Sequence, residues 1–344
     1  MSAINTEVVM RPKDLETYLQ FVFTHPEEKF VPCISGAPGV GKSDIVTGSA
    51  EAAGMELLLS HPVTSDPTDY KGLPCVVDGG AEFLPFGDLN ALVNAKIPTV
   101  FFLDDAGQAS NATQAALMQL VLARQVNGHK ISSHVQFVMA TNRRQDRGGV
   151  SGILEPLKGR AQMITLQPDL SDWITWAAAN DMPPDIMAFC NFRPNFLFDP
   201  KPTTAMVNSS NPRTIAAVGR HVTSELPADL EYPIFTGCAG EGFATEYIGF
   251  RKVYKEIPNP QHILLRPSEV PVPDSTKPAV LYAISGALAH IATPDNFDRV
   301  AIYADRMPVE FNILLVRDAL KRHPRIDSTP AFIKWGAKHS DVML

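Results

Sequence analysis

The stretch Gly36-Ala37-Pro38-Gly39-Val40-Gly41-Lys42-Ser43 constrains this chain more than any other. Its spacing, G-x-x-x-x-G-K-S, lets glycine backbones bend around an anion with their N–H groups pointing inward, while a following helix start adds positive potential. Lys42 is then placed to reach β- and γ-phosphates and the Ser43 hydroxyl to hold Mg²⁺, with Pro38, Gly39, Val40 and Gly41 forming the loop wall and Asp44 the first helical turn. An accidental glycine turn would not need a particular setting, but this one has it. Phe30 to Ser35 reads as a short apolar strand, and Asp44 to Ala53 as a helix stopped by Gly54.

The chain has 344 residues, enough for two or three packed units. Its 30 basic and 37 acidic residues give a net charge of −7, which argues against a surface built mainly for nucleic-acid phosphates or anionic membranes. The four cysteines (Cys33, Cys75, Cys190, Cys238) are scattered and form no C-x-x-C pair, so neither a disulfide framework nor a zinc site is indicated. No apolar run approaches the roughly 18 residues of a membrane span. A soluble, cytoplasmic protein in a reducing compartment is the expectation.

Met55 to Ser60 reads as a buried strand, and Ile97 to Leu103, Val135 to Ala140 and Ala161 to Leu166 as further ones. With Phe30 to Ser35 these make five strands separated by helices or long connections, the pattern of a parallel α/β sheet. Pro12 opens a helix reaching Thr24, with Leu15, Leu19, Val22 and Phe23 on one face. Two hairpins interrupt the pattern. Cys75 to Val77 and Ala81 to Leu84 flank Asp78-Gly79-Gly80, and Gln125-Val126 and Lys130-Ile131 surround Asn127-Gly128. Beyond Leu166 helices dominate, the first capped by Ser171 and carrying Trp173 and Trp176 as core anchors. Pro212-Arg213 opens another, running to about Ser224. From Ile257 to Pro278 prolines are dense enough to predict an extended wrapping segment. Helices follow over Ala279 to Ala292, Pro294 to Met307 after the cap Thr293, Val309 to Arg322, and Ala331 to His339 after Thr329-Pro330.

The strand Val100-Phe101-Phe102-Leu103 ends in Asp104-Asp105. Asp104 is suited to support Mg²⁺, and Asp105 to orient or deprotonate an attacking water. Asn142, just past another strand, offers a neutral amide to that water or to the γ-phosphate. Arg143, Arg144, Arg147, Lys158 and Arg160 form the densest basic segment, which reads as a solvated face, a nucleic-acid contact or a site completed in trans. Arg213 is a second candidate for reaching phosphate. The nine histidines show no i, i+4 pairing with an acid between them, so no metal centre is expected from them.

In this order, cradle, acidic strand end, hairpin, Ala140-Thr141-Asn142, Leu157-Lys158-Gly159-Arg160 and Asn211-Pro212-Arg213 resemble an AAA+ ATPase of the MoxR-like group, from about Pro12 to Leu226. The stretch Gly72 to Leu84 is similar to that group's hairpin inserted in the second helix, and Gln125 to Ile131 to its hairpin before the sensor strand. The resemblance implies an ATP-binding core over residues 1–166, a helical lid over 167–226 and a mostly helical C-terminal extension over 227–344. It makes Asn142 sensor 1, Arg160 the arginine finger given to a neighbouring subunit, and Arg213 sensor 2. It further implies ATP and Mg²⁺ as cofactors, a ring oligomer, most often a hexamer, and chaperone-like action on a partner protein, often one with a von Willebrand factor A domain. One position departs from the pattern. Where the group carries Asp-Glu the chain has Asp105, one methylene shorter, which predicts slow hydrolysis. Two other readings stay open at this stage, a nucleic-acid motor or loader and a nucleotide-clamped scaffold, as does the choice of ATP or GTP.

Overall fold

A computed structural model describes residues 8–143, 146, 152–201 and 205–339. The chain divides into two compact units, Met1–Pro168 and Asp169–Leu344.

The first unit runs β1 (Val9–Met10), α1 (Pro12–Thr24), β2 (Pro32–Ser35), α2 (Lys42–Ala52), β3 (Glu56–Ser60), α3 (Pro67–Lys71), β4 (Leu73–Val77), β5 (Gly80–Leu84), α4 (Gly87–Asn94), β6 (Thr99–Leu103), α5 (Asn111–Met118), β7 (Gln125–Val126), β8 (His129–Lys130), β9 (Val135–Thr141), α6 (Glu155–Lys158) and β10 (Gln162–Leu166). Six strands form one sheet in the order β1-β10-β2-β9-β6-β3, and every pairing in it is parallel. The expected α/β class is therefore what the described residues form. β6 and β9 are buried along their whole length, which explains their largely apolar sequences, Gln136 being the polar exception inside β9. β3 differs from the buried strand predicted. It is the sheet edge, paired on one side only, and Leu59 is 45% exposed. β1, the opposite edge, escapes sequence reading because it is two residues long and its partner, β10, lies over 150 positions away.

Both hairpins form as expected. In β4–β5 the turn residues Asp78 and Gly79 have φ of 49° and 82°, and in β7–β8 Asn127 and Gly128 have 47° and 90°. Two positive φ angles in a two-residue loop match the right-handed twist of the flanking strands. The hairpins also meet. Asn127 donates to the Lys71 carbonyl at 2.8 Å, and the His129 ring is 2.7 Å from the Phe83 carbonyl. β4–β5 has no buried residue, and Val76 is 83% exposed.

The second unit is helical: α7 (Leu170–Ala179), α8 (Pro184–Phe192), α9 (Pro212–Thr223), α10 (Ala228–Ala239), α11 (Glu241–Glu256), α12 (Pro260–Leu265), α13 (Pro278–Ile291), α14 (Phe297–Ala304), α15 (Val309–Arg322) and α16 (Pro330–Lys338). It has two hydrophobic clusters. One gathers Phe189, Phe243, Tyr247 and Phe250 and spans Trp173 to Ala283, so residues on both sides of Leu226 share it. The other spans Ile263 to Trp335, and α13 contributes to both. α13 approaches α8 at Gly286, where a Cβ would sit 2.6 Å from that of Ala188. Inside the first cluster Arg251 binds Asp185 at 2.8 Å and Glu231 at 2.5 Å, while Tyr247 donates to Asp185 at 3.1 Å. Burial is the main cause raising the Tyr247 phenol pKa, so this hydroxyl stays a donor.

Several local expectations are corrected here. The cap of α7 is Asp169, which accepts from the Asp172 N–H, and not Ser171. α14 starts at Phe297 and not Pro294, because Asn296 accepts from the Thr293 N–H and donates to the Ile291 carbonyl, closing a turn ahead of the helix. The proline-dense stretch is not wholly extended, since it contains α12, capped by Asn259. Trp173 is buried, but Trp176 is 37% exposed and anchors less. No helix among the described residues is long and apolar enough to cross a membrane. All four cysteines are free, and burial pushes the Cys33 thiol up to about 12.

Candidate nucleotide site

The parallel register assembles the site. Ser35 pairs with Thr141, and Leu103 with Met139, so the residues just beyond β2, β9 and β6 emerge at one level at the carboxyl edge of the sheet. Ligands of open α/β sheets bind at that edge. Gly36 follows Ser35, its N–H donating to the Thr141 carbonyl at 3.2 Å. A Cβ there would lie 3.2 Å from the Leu166 carbonyl, so the cradle starts where the backbones crowd. Gly39 and Gly41 take φ of 79° and 96°, the left-handed region that side chains disfavour. Gly41 is also the residue from which α2 begins, so the helix N-terminus points into the loop.

Lys42 is 6% exposed, and its ammonium donates to the carbonyls of Gly36 at 2.9 Å and Ala37 at 3.1 Å and to Asn142 Oδ1 at 2.8 Å. Ser43 Oγ donates to Asp104 Oδ2 at 2.6 Å. The hydroxyl and carboxylate oxygens expected to face Mg²⁺ are thus neighbours, and hard oxygen donors suit that ion. Asp104 Oδ1 accepts from the Asp105 N–H at 3.0 Å, which holds the strand end. Asn142 spans the site, receiving Lys42 on its oxygen and donating through Nδ2 to Asp105 Oδ1 at 3.2 Å. Within the loop Val40 is buried, while Pro38 and, in the first turn of α2, Asp44 are exposed.

Arg160 is placed apart from these groups. It follows α6, is exposed, and lines a groove of about 390 Å³ with Met118 and Leu122. Its neighbours in the basic segment are already matched: Arg143 binds Asp146 at 2.9 Å and Lys158 binds Glu155 at 2.6 Å. Arg160 makes no ion pair among the described residues. Arg144 and Arg147 lie outside them. Arg213 belongs to the second unit, exposed in the first turn of α9, whose cap is the Asn211–Thr214 box.

Two residues that sequence reading missed complete the arrangement. Gln108 Nε2 donates to Asp105 Oδ1 at 2.6 Å. Gln114, fully buried, donates to the carbonyls of Ala109 at 3.2 Å and Gly152 at 2.9 Å and accepts from the Leu154 N–H at 3.0 Å. It ties the turn after Asp105 to the segment entering α6. A glutamine three residues past an acidic strand end is the only trace of the first in sequence, and a polar residue on the apolar face of α5 the only trace of the second. Among the described residues no group of His, Cys, Asp and Glu could hold a metal ion by itself.

No protein-family model and no curated protein matches this sequence. Among solved structures the chain is similar to a mutant RuvB of Thermotoga maritima, at 15% identity over 80% of this chain and 82% of that one, with a TM-score of 0.42. It is also similar to the Thermotoga maritima RuvB Holliday junction branch migration motor, at 14% identity over 80% and 81% of the two chains, with a TM-score of 0.39.

Proposed function

We propose that this protein is an ATP hydrolase of the AAA+ kind, resembling the MoxR-like group in its motifs, acting as a ring, a hexamer by that resemblance, to remodel or activate a partner protein. The observation that carries the reading is the convergence of Lys42, the Ser43–Asp104 pair and the Asn142–Asp105 pair beyond three adjacent parallel strands. Each group matches one requirement of phosphoryl transfer: a cation for the β/γ-phosphates, oxygen ligands for Mg²⁺, and a carboxylate with an amide beside the attacking water. Bound Mg²⁺ would neutralise charge on the phosphate oxygens. The chain's own task is to hold the triphosphate in the loop, with Lys42 released from its carbonyl partners to the phosphate and Asp105 held beside the attacking water. Arg160, exposed and without an ion pair among the described residues, is the arginine given to a neighbouring subunit, and Arg213 is sensor 2 by the same resemblance. The two hairpins are the surface offered to the partner, for which a von Willebrand factor A domain is the candidate.

Nucleotide binding and turnover by the purified protein test this reading. ATP with Mg²⁺ should bind and be hydrolysed, and Lys42→Ala should weaken binding at least tenfold. Equal binding of ATP by the wild type and Lys42→Ala would reject it. DNA that stimulates turnover in a salt-dependent way would move the protein to the nucleic-acid motors.

A further inference from the structure

We propose that Gln108 is a positioning residue for hydrolysis, holding the Asp105 carboxylate in the one orientation that leaves its second oxygen for the attacking water; this inference rests on the ATPase reading. Asp105 sits in the left-handed region, with φ of 56°, so its side chain leaves the strand direction and turns across the site. There Oδ1 accepts two hydrogen bonds, from Gln108 at 2.6 Å and Asn142 at 3.2 Å. Oδ2 makes none among the described residues. Two amide donors on one oxygen fix the carboxyl plane.

The fit of Gln108 to this task is built into its turn. The Gln108 N–H closes on the Asp105 carbonyl at 3.0 Å. At Gly107 a Cβ would meet Thr141 Oγ1 at 2.1 Å, so the turn lies flush on β9 and only glycine allows it. Gln108 Oε1 in turn faces Thr141 Oγ1 at 3.5 Å, and Gln114 holds the next carbonyl, that of Ala109. The amide is therefore aimed from both ends. A carboxylate one methylene shorter than glutamate gains more from such a tether, because misplacement by about 1 Å at a catalytic group costs on the order of a hundredfold. In the step served, the water oxygen bonds to the γ-phosphorus as the bond to the bridging oxygen breaks. The leaving electron pair stays on ADP, and the water proton passes to Asp105 Oδ2.

The test compares wild type, Gln108→Ala, Gln108→Glu and Asp105→Asn by steady-state turnover and by affinity for a fluorescent ATP analogue. For Gln108→Ala, kcat should fall about ten- to a hundredfold with KM and analogue affinity within twofold. Gln108→Glu sets a second carboxylate against Asp105. The tether is then replaced by repulsion, so kcat should fall at least as far as in Gln108→Ala while analogue affinity holds. Turnover within twofold of wild type in both variants would overturn the proposal, as would affinity falling in step with kcat, which marks a merely structural role. If Asp105→Asn hydrolyses ATP as fast as wild type, or the wild type does not hydrolyse it, the ATPase reading fails and this inference with it. If Asp105→Asn is inactive and both Gln108 variants are normal, only this inference fails.

Discussion

At the scale of single residues, the site is a set of short donors closing on Asp104 and Asp105. That Ser43, Lys42 and Asn142 come together was legible in the sequence, because the loop spacing and the strand ends place them. Each sits at the end of an apolar strand or in a glycine-framed loop. Gln108 was not legible, because its meaning depends on a turn whose path is fixed by Gly107 lying against Thr141, a contact between residues 34 positions apart. The shorter carboxylate gives the first prediction. Asp105→Glu should turn ATP over several-fold to a hundredfold faster than wild type if reach limits the step. Rates that agree within twofold would show that the Gln108 and Asn142 tethers already place the aspartate well enough.

At the scale of elements, the parallel register is what converts distant sequence motifs into neighbours. The strands were readable from their apolar runs, and the helices best where a cap and a clean period coincide, as at Thr329 and α16. α10 and α11 were missed for a physical reason. α10 carries Pro233 inside it, a breaker by sequence that the helix accommodates at the loss of one backbone donor, and the α10–α11 junction is a single Gly240 with φ of 88°. A Cβ at Gly240 would come within 2.7 Å of the Asn208 carbonyl, so this corner is fixed by packing far along the chain. The link from α5 to α6 is more exacting. Gln114→Ala would remove the side-chain partner of the half-buried Gly152 carbonyl and Leu154 N–H and one bond to the Ala109 carbonyl. Unfolding by denaturant should show a loss of about 2–4 kcal/mol, each group that loses its partner costing about 1–3 kcal/mol before water or relaxation recovers part of it. A loss below about 0.5 kcal/mol would mean that water satisfies all three.

At the scale of the whole molecule, the first unit holds the glycine loop, the Ser43–Asp104 pair and Asp105 together, and carries elsewhere Arg160, which makes no ion pair among the described residues. A ring would bring the arginine of one copy to the cradle of the next, and complementation can detect this. Arg160→Ala and Lys42→Ala should each be inactive alone. Mixed, they should recover part of the wild-type rate, because some interfaces then join an intact cradle to an intact Arg160. Activity of Arg160→Ala by itself, or no recovery on mixing, would count against a shared site. The outer hairpin carries a different consequence. Leu73 and Leu84 face each other across its base, and a Cβ on Gly72 would nearly touch the Leu84 carbonyl, so the chain enters and leaves β4–β5 at almost the same point. With no side chain of either strand fully buried, the hairpin adds little to the packed core. Such a segment is an exchangeable cartridge. Its surface can be rewritten, lengthened or replaced over generations while the engine that carries it keeps its parts in register.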